Sequence, residues 1–318
     1  MTATRRLGRS ELEVSVVGLG CNQLGRKVDA DGTARLLDAC EAAGVTLLDT
    51  ADIYGGAGAS EALLGEALEG RRDRFVVATK FGMDMGAVDG MPDAPRGSRE
   101  YIRWAVEGSL RRLRTDRIDL YQYHEPDGVT PLAQTLVALD ELVREGKVRF
   151  LGCSNFTAAQ IYEGARVAAE DGLTPFVGLQ NQYSLLERDL EADVAGACER
   201  HDLGILPYFP LARGLLTGKY RRGAQAPPGA RLAGSGEVAD AATFDVLEAL
   251  ERFAAERGLT LLDVAIGGLA AQPAVASVIA GATRPEQVQA NARAAAWTPS
   301  AEDLRALDAI TPTARPHA

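Results

Sequence analysis

Three apolar runs of this chain each end in a side chain that titrates. Thr46-Leu47-Leu48 ends in Asp49, and Tyr54 follows in Asp49-Thr50-Ala51-Asp52-Ile53-Tyr54-Gly55. Phe75-Val76-Val77-Ala78-Thr79 ends in Lys80, and Leu120-Tyr121-Gln122-Tyr123 ends in His124. A further run, Val148-Arg149-Phe150-Leu151, leads to Ser154-Asn155. If these runs are neighbouring strands of a barrel, their ends share one mouth. Polar residues there read as catalytic, because that face is where such barrels place their sites. Taken singly, each has a plainer account: Lys80 caps a strand, Asp49 bonds to turn amides, His124 is a satisfied buried histidine. Taken together they read as one site.

The elements that must position these residues form a repeat. Four more apolar runs complete a set of eight: Val16-Val17-Gly18-Leu19, Phe176-Val177-Gly178-Leu179, Gly204-Ile205-Leu206-Pro207 and Val275-Ala276-Ser277-Val278-Ile279. Amphipathic stretches lie between them, with Gly44, Gly70 and Gly146 placed as left-handed helix caps and Ser60 and Thr157 as N-caps. Strands alternating with helices at spacings of about thirty residues predict parallel strands with right-handed crossovers. Periodicity leaves an open doubly wound sheet possible; the length favours a closed (β/α)8 TIM barrel. Residues 1–15 read as an N-terminal β-hairpin able to plug the bottom of that barrel. The whole chain, 1–318, reads as one domain with two long irregular loops, 82–98 and 212–239.

The chain has 318 residues, 46% hydrophobic and 25% charged, which is ordinary globular composition. With 34 basic against 44 acidic residues, its net charge of -10 argues against nucleic acid. No apolar run is long enough for a membrane span or a signal core. The four cysteines, Cys21, Cys40, Cys153 and Cys198, form no Cys-x-x-Cys pair, so a cytoplasmic location is expected. Three dispersed histidines, His124, His201 and His317, offer no metal ligand set. Gly18-Leu19-Gly20 follows a strand, but Gln23 stands where the dinucleotide fingerprint needs its third glycine. A tight turn leaving the first barrel strand accounts for it.

Over essentially its whole length the chain resembles the aldo-keto reductases. The motifs that carry the resemblance are Leu48-Asp49-Thr50-Ala51-Asp52-Ile53-Tyr54-Gly55, Ala59-Ser60-Glu61, Ala78-Thr79-Lys80 and Leu120-Tyr121-Gln122-Tyr123-His124. They continue with Gly152-Cys153-Ser154-Asn155-Phe156, Gln180-Asn181-Gln182-Tyr183, Tyr208-Phe209-Pro210-Leu211-Ala212-Arg213-Gly214 and Gly281-Ala282-Thr283-Arg284-Pro285-Glu286-Gln287. The resemblance implies a barrel capped by an N-terminal hairpin. It also implies an extended nicotinamide cofactor, NADPH/NADP+, held without a dinucleotide fold.

It further implies that Asp49, Tyr54, Lys80 and His124 are the catalytic four, reducing an aldehyde or ketone to an alcohol. Reduction needs a hydride on carbon and a proton on oxygen. A free tyrosine, with a pKa of about 10, is an available acid and a poor base. An ammonium on Lys80 is expected to lower that pKa, with Asp49 holding the lysine charged. His124 is expected to donate a hydrogen bond to the carbonyl oxygen; either Tyr54 or His124 remains a possible source of the proton.

By the same resemblance Ser154, Asn155 and Gln180 bracket the nicotinamide carboxamide, and Tyr208 stacks on its ring. Gly281, Thr283, Arg284, Gln287 and Asn291 match the adenosine-phosphate segment. Gly281-Ala282 replaces the Lys-Ser of some relatives, so the phosphate grip leans on Arg284. Lys219 and Arg231 resemble the basic residues of a loop closing over the pyrophosphate, with solvated charge the other account of Arg231. Gly20, Cys21, Asn22, Asp49, Phe209, Pro210, Leu211, Arg213 and Gly214 complete the expected cofactor contacts.

Walls for a small carbonyl substrate are expected from residues 22–27, 81–98 (with Met83, Met85 and Met91), Glu125 and 211–220. The family also contains ancillary subunits of potassium channels, so a cofactor-sensing regulatory protein is the alternative reading. The oligomeric state is open.

Overall fold

The computed structural model describes residues 2–234 and 238–312. His317 and residues 235–237 of the 212–239 loop lie outside them. The hairpin is β1 (Thr4–Arg6) and β2 (Glu13–Ser15), paired antiparallel. Then follow β3 (Val17–Gly20), α1 (Ala30–Ala43), β4 (Leu47–Asp49), α2 (Ala59–Ala67), β5 (Val76–Phe81), α3 (Arg99–Leu113), β6 (Ile118–Tyr123) and α4 (Leu132–Arg144). The second half holds β7 (Val148–Ser154), α5 (Ala158–Asp171), β8 (Phe176–Gln180), α6 (Val194–Arg200) and β9 (Gly204–Ile205). It ends with α7 (Ala241–Glu256), α8 (Leu261–Ala270), β10 (Val278–Gly281), α9 (Pro285–Ala294) and α10 (Ala301–Ile310).

β3 to β10 are parallel and lie in the order β10-β3-β4-β5-β6-β7-β8-β9. Backbone bonds from Ile205 N–H to Ala274 C=O, from Ala276 N–H to Ile205 C=O and from Ile279 N–H to Pro207 C=O join the last strand to the first. This is the (β/α)8 barrel, and each of the eight apolar runs supplies one of its strands. The helices pack their buried faces on the outside of the ring, for example Leu36, Leu37 and Cys40 of α1 and Ile102, Val106 and Leu110 of α3. No helix among the described residues is long and apolar enough to cross a membrane.

The hairpin closes the bottom. Leu7, Leu12 and Val14 cluster with Leu47, Ala78, Leu120, Val177, Leu206 and Ile279, which point into the barrel. Arg5 Nη1 donates to the carbonyls of Ala270 (2.6 Å) and Val275 (2.9 Å), tying the hairpin to the closing seam. Gly8 has φ +54, and a Cβ there would come within 2.2 Å of the Asp202 carbonyl oxygen, so only glycine lets the hairpin dock so closely.

Local signals mostly act as expected. Gly44 is the left-handed cap of α1, and Thr157 forms a reciprocal capping box with Gln160 at the start of α5. Gly146 follows α4 at φ +75, while Gly70 lies in the turn beyond the end of α2, at φ +77. Ser60 differs. It lies inside the first turn of α2, behind Gly58, and its hydroxyl donates to the Cys21 carbonyl (2.9 Å) and meets Thr50 Oγ1 (2.8 Å). A tertiary partner has displaced the cap, and Ser60 instead ties the loop after β3 to the loop after β4.

Candidate active site

Strand pleating sets the inward residues. On β5, Thr79 faces out and donates to Glu61 of α2 at 2.5 Å, while Lys80 turns in, fully buried. Glu61 is paired with Arg112 of α3, which fixes the outer side of β5. On β6, Tyr121 and Tyr123 face out and stack on Phe81 at 4.9 and 5.0 Å, while Gln122 turns in. His124 follows directly, its N–H bound to the Phe81 carbonyl at 2.8 Å. Asp49 ends β4 and is 3% exposed.

The inward groups meet. Lys80 Nζ donates to Asp49 Oδ2 (2.8 Å), to the Thr50 carbonyl (2.8 Å) and to Tyr54 Oη (3.3 Å). Asp49 Oδ1 accepts from Gln180 Nε2 (2.8 Å) and Gln122 Nε2 (3.3 Å). The His124 ring stands edge-on to Tyr54 at 5.9 Å, with its Nδ1 buried and without a hydrogen-bond partner. The structure thus gathers Asp49, Tyr54, Lys80 and His124 at one mouth.

The electrostatics differ from expectation at Tyr54. Burial raises its pKa above the ordinary phenol value, outweighing the lowering by Lys80. Burial opposes the charge on Lys80, but Asp49 and Tyr54 offset it and its pKa ends above the usual value. The pair is therefore a neutral phenol beside an ammonium. Burial, then the charge of Lys80, pushes His124 down to about 2, so its imidazole is neutral.

A cavity of about 610 Å³ opens above these groups, with Asp49, Tyr54 and His124 in its wall. Gly20, Cys21, Asn22, Ser154, Asn155 and Gln180 line it, as do Tyr208, Phe209, Pro210, Leu211, Arg213 and Gly214. Lys219, Arg231, Gly281, Thr283, Gln287 and Asn291 line it as well. Arg284 is outside the lining, although its charge acts on Lys219. Of the expected substrate walls, Met83 lines the cavity; Met85, Met91 and Glu125 do not, and Met91 packs against the main core instead.

Several amides here are already engaged. Asn155, at φ +57, donates from Nδ2 to the His124 carbonyl (3.0 Å) and to Ser154 Oγ (3.2 Å). Its Oδ1 accepts from the Tyr208 hydroxyl at 2.9 Å, which holds that ring at the cavity wall. After β9 the chain turns sharply, with Phe209, Ala212 and Arg213 all at positive φ around the cavity. Non-glycine residues in that conformation cost about 1–3 kcal/mol each and gather at functional sites.

Cations without partners surround the space. Arg213 and Arg231 stand over the Phe209 ring at 5.9 and 4.7 Å. Burial, then the like charges of Lys27 and Arg284, lowers the Lys219 pKa; burial, then Arg213, with Arg26 further down, lowers that of Arg231. Among the described residues, none of Lys27, Arg213, Lys219, Arg231 and Arg284 has an acidic partner within 4 Å, unlike most arginines of this acidic chain. Such a set suits an anion.

Several residues escaped the sequence reading as site residues, among them Leu262 and Ala290 of the cavity lining, Lys27 and Gln122. Lys27 was visible only as part of a wall segment, and Gln122 only inside the motif that ends in His124. No group of three or more His, Cys, Asp or Glu gathers to hold a metal among the described residues.

Comparison with known proteins agrees with the geometry. Residues 16–312 match the model of the aldo/keto reductase family. The chain is 34% identical over 310 residues to the uncharacterized oxidoreductase YqkF of Bacillus subtilis, covering 96% of each chain. It is 34% identical over 313 residues to the uncharacterized oxidoreductase YrpG of the same organism, covering 96% of this chain and 95% of that one. A probable voltage-gated potassium channel subunit beta of rice, Oryza sativa subsp. japonica, is also 34% identical, over 304 residues, covering 91% and 90%.

Proposed function

The chain belongs to the aldo/keto reductase family, and on that premise we propose that it reduces an aldehyde or ketone to an alcohol with NADPH, Tyr54 giving the proton. One observation carries the reading: a single cavity joins Tyr54 and His124 to a wall of unpaired cations. Those cations suit a polyanionic dinucleotide, and the phenol suits an oxygen that must gain a proton.

Bound there, NADPH supplies the hydride for the carbonyl carbon. Gln180 has its N–H on Asp49, so its oxygen is left to accept from the carboxamide, beside the Ser154 hydroxyl. Tyr208, held by Asn155 in the cavity wall, would pack against the nicotinamide. Lys27, Lys219 and Arg284 gather beside Thr283, Gln287 and Asn291 to receive phosphate; Arg213 and Arg231 do so across Phe209.

Tyr54 acts as an acid. Its oxygen accepts from Lys80, which leaves the O–H free to donate. As the carbonyl oxygen gains charge, Tyr54 passes its proton to it, and the ammonium 3.3 Å away stabilises the phenolate left behind. Neutral His124 offers an N–H to the same oxygen.

The rice relative's name favours a second reading, a cofactor-binding regulatory protein. Titration with NADPH followed by a panel of neutral and charged aldehydes and ketones separates the two. Carbonyl-dependent NADPH oxidation supports the enzyme; tight binding with no turnover on any member supports the regulator; no binding rejects both.

A further inference from the structure

We propose that Gln122 is a positioning residue: its amide N–H holds the Asp49 carboxylate in place, and Asp49 in turn orients Lys80 against Tyr54. This rests on the reading of Tyr54 as proton donor. Gln122 is fully buried on β6, inside the barrel, with Nε2 at 3.3 Å from Asp49 Oδ1. The opposite amide orientation would set oxygen against oxygen, so only this one makes the bond. Its Oε1 is buried and has no hydrogen-bond partner.

That orphaned oxygen is the telling feature. A methionine would fill similar space without that unsatisfied atom, so the oxygen by itself gives stability no reason for a glutamine here. What glutamine adds is the N–H on Asp49. The neighbouring strand makes room for it: Gly152 lies opposite Gln122 in register, and a Cβ there would come within 2.9 Å of Gln122 Cγ.

Asp49 has a second amide donor in Gln180, but the two differ in place. Gln180 lies in the cavity wall, whereas Gln122 is behind it, outside the lining. A ligand that engages Gln180 leaves the Gln122 contact untouched. Gln180 can serve a ligand through its oxygen as well as Asp49 through its N–H, whereas Gln122 serves Asp49 alone.

The test compares wild type with Gln122→Met and Gln122→Leu by thermal unfolding, NADPH affinity and steady-state reduction of a reactive aldehyde. Both variants should unfold near the wild-type temperature, the loss of the orphaned oxygen offsetting the lost bond to Asp49. NADPH affinity and KM should stay unchanged, while kcat falls by about tenfold, the scale of one hydrogen bond to a charged group. Lower unfolding temperatures in both variants, or an unchanged kcat, would overturn the proposal. A wild-type protein that turns over no carbonyl fails the functional reading itself, and the proposal with it, and is recognised because the parent is then inactive.

Discussion

Lys80 Nζ lies 3.3 Å from Tyr54 Oη and 4.8 Å from the centre of its ring, with its other two N–H groups on Asp49 and the Thr50 carbonyl. The three donors of this buried ammonium are all engaged, and the phenol oxygen is one of their acceptors. A group so placed acts on the proton-bearing atom and on the stability of the barrel at once.

Lys80→Met should therefore fail in two ways. The phenolate loses its counter-charge, and turnover should fall by about two to four decades. Asp49 is left buried without its cation, which should cost about 3–5 kcal/mol of stability. Urea unfolding reads the second effect. Adding Asp49→Asn to Lys80→Met should restore part of the stability and none of the activity.

His124 predicts a pH effect on stability. Burial keeps its imidazole neutral, with a folded pKa of about 2 against an ordinary value of 6.5. Below the ordinary value the unfolded chain binds a proton that the folded one refuses, so the neutral form contributes stability above it and loses that contribution as pH falls. The stability difference between wild type and His124→Gln should shift against wild type by up to about 1.4 kcal/mol per pH unit. Unfolding curves between pH 7 and pH 5 check this, and a constant difference would contradict it.

Arg284 should decide between the two nicotinamide cofactors. It stands near Lys219 with no acidic partner within 4 Å among the described residues, at the segment expected to meet the adenosine phosphate. A charge-assisted contact to a 2′-phosphate is worth about 1.5–3 kcal/mol. Arg284→Ala should weaken NADPH binding by about one to two decades and NADH binding little. Equal losses for both would place the arginine elsewhere.

The sequence carried the eight strands because each is a compact apolar run with a polar end, and β3 to β10 fall on those runs. It carried Asp49, Lys80 and His124 for the same reason, since a strand's last inward residue is fixed by its pleat. It did not carry the balance at Tyr54, where burial outweighs the lysine, because burial depends on Lys80, His124 and α2, which only the fold brings around the phenol. Ser60 looked like a cap from its neighbours and became a tether through Thr50 and Cys21, which are distant in sequence. Gln122 had no signal of its own: a glutamine inside an apolar strand acquires meaning only when β4 sets Asp49 beside it. The left-handed turn from Phe209 to Arg213 was hidden likewise, since only Gly214 marks it.

The proposal stands most directly on one measurement: single-turnover oxidation of bound NADPH by a reactive aldehyde, in wild type and Tyr54→Phe. The substitution keeps the ring and removes only the hydroxyl, so NADPH affinity should stay within about threefold. The proton is given only as hydride arrives, so the loss belongs to the transition state. The rate should fall by about two to four decades. If Tyr54→Phe reacts at the wild-type rate, the proton comes from His124 or water and the role given to Tyr54 is wrong.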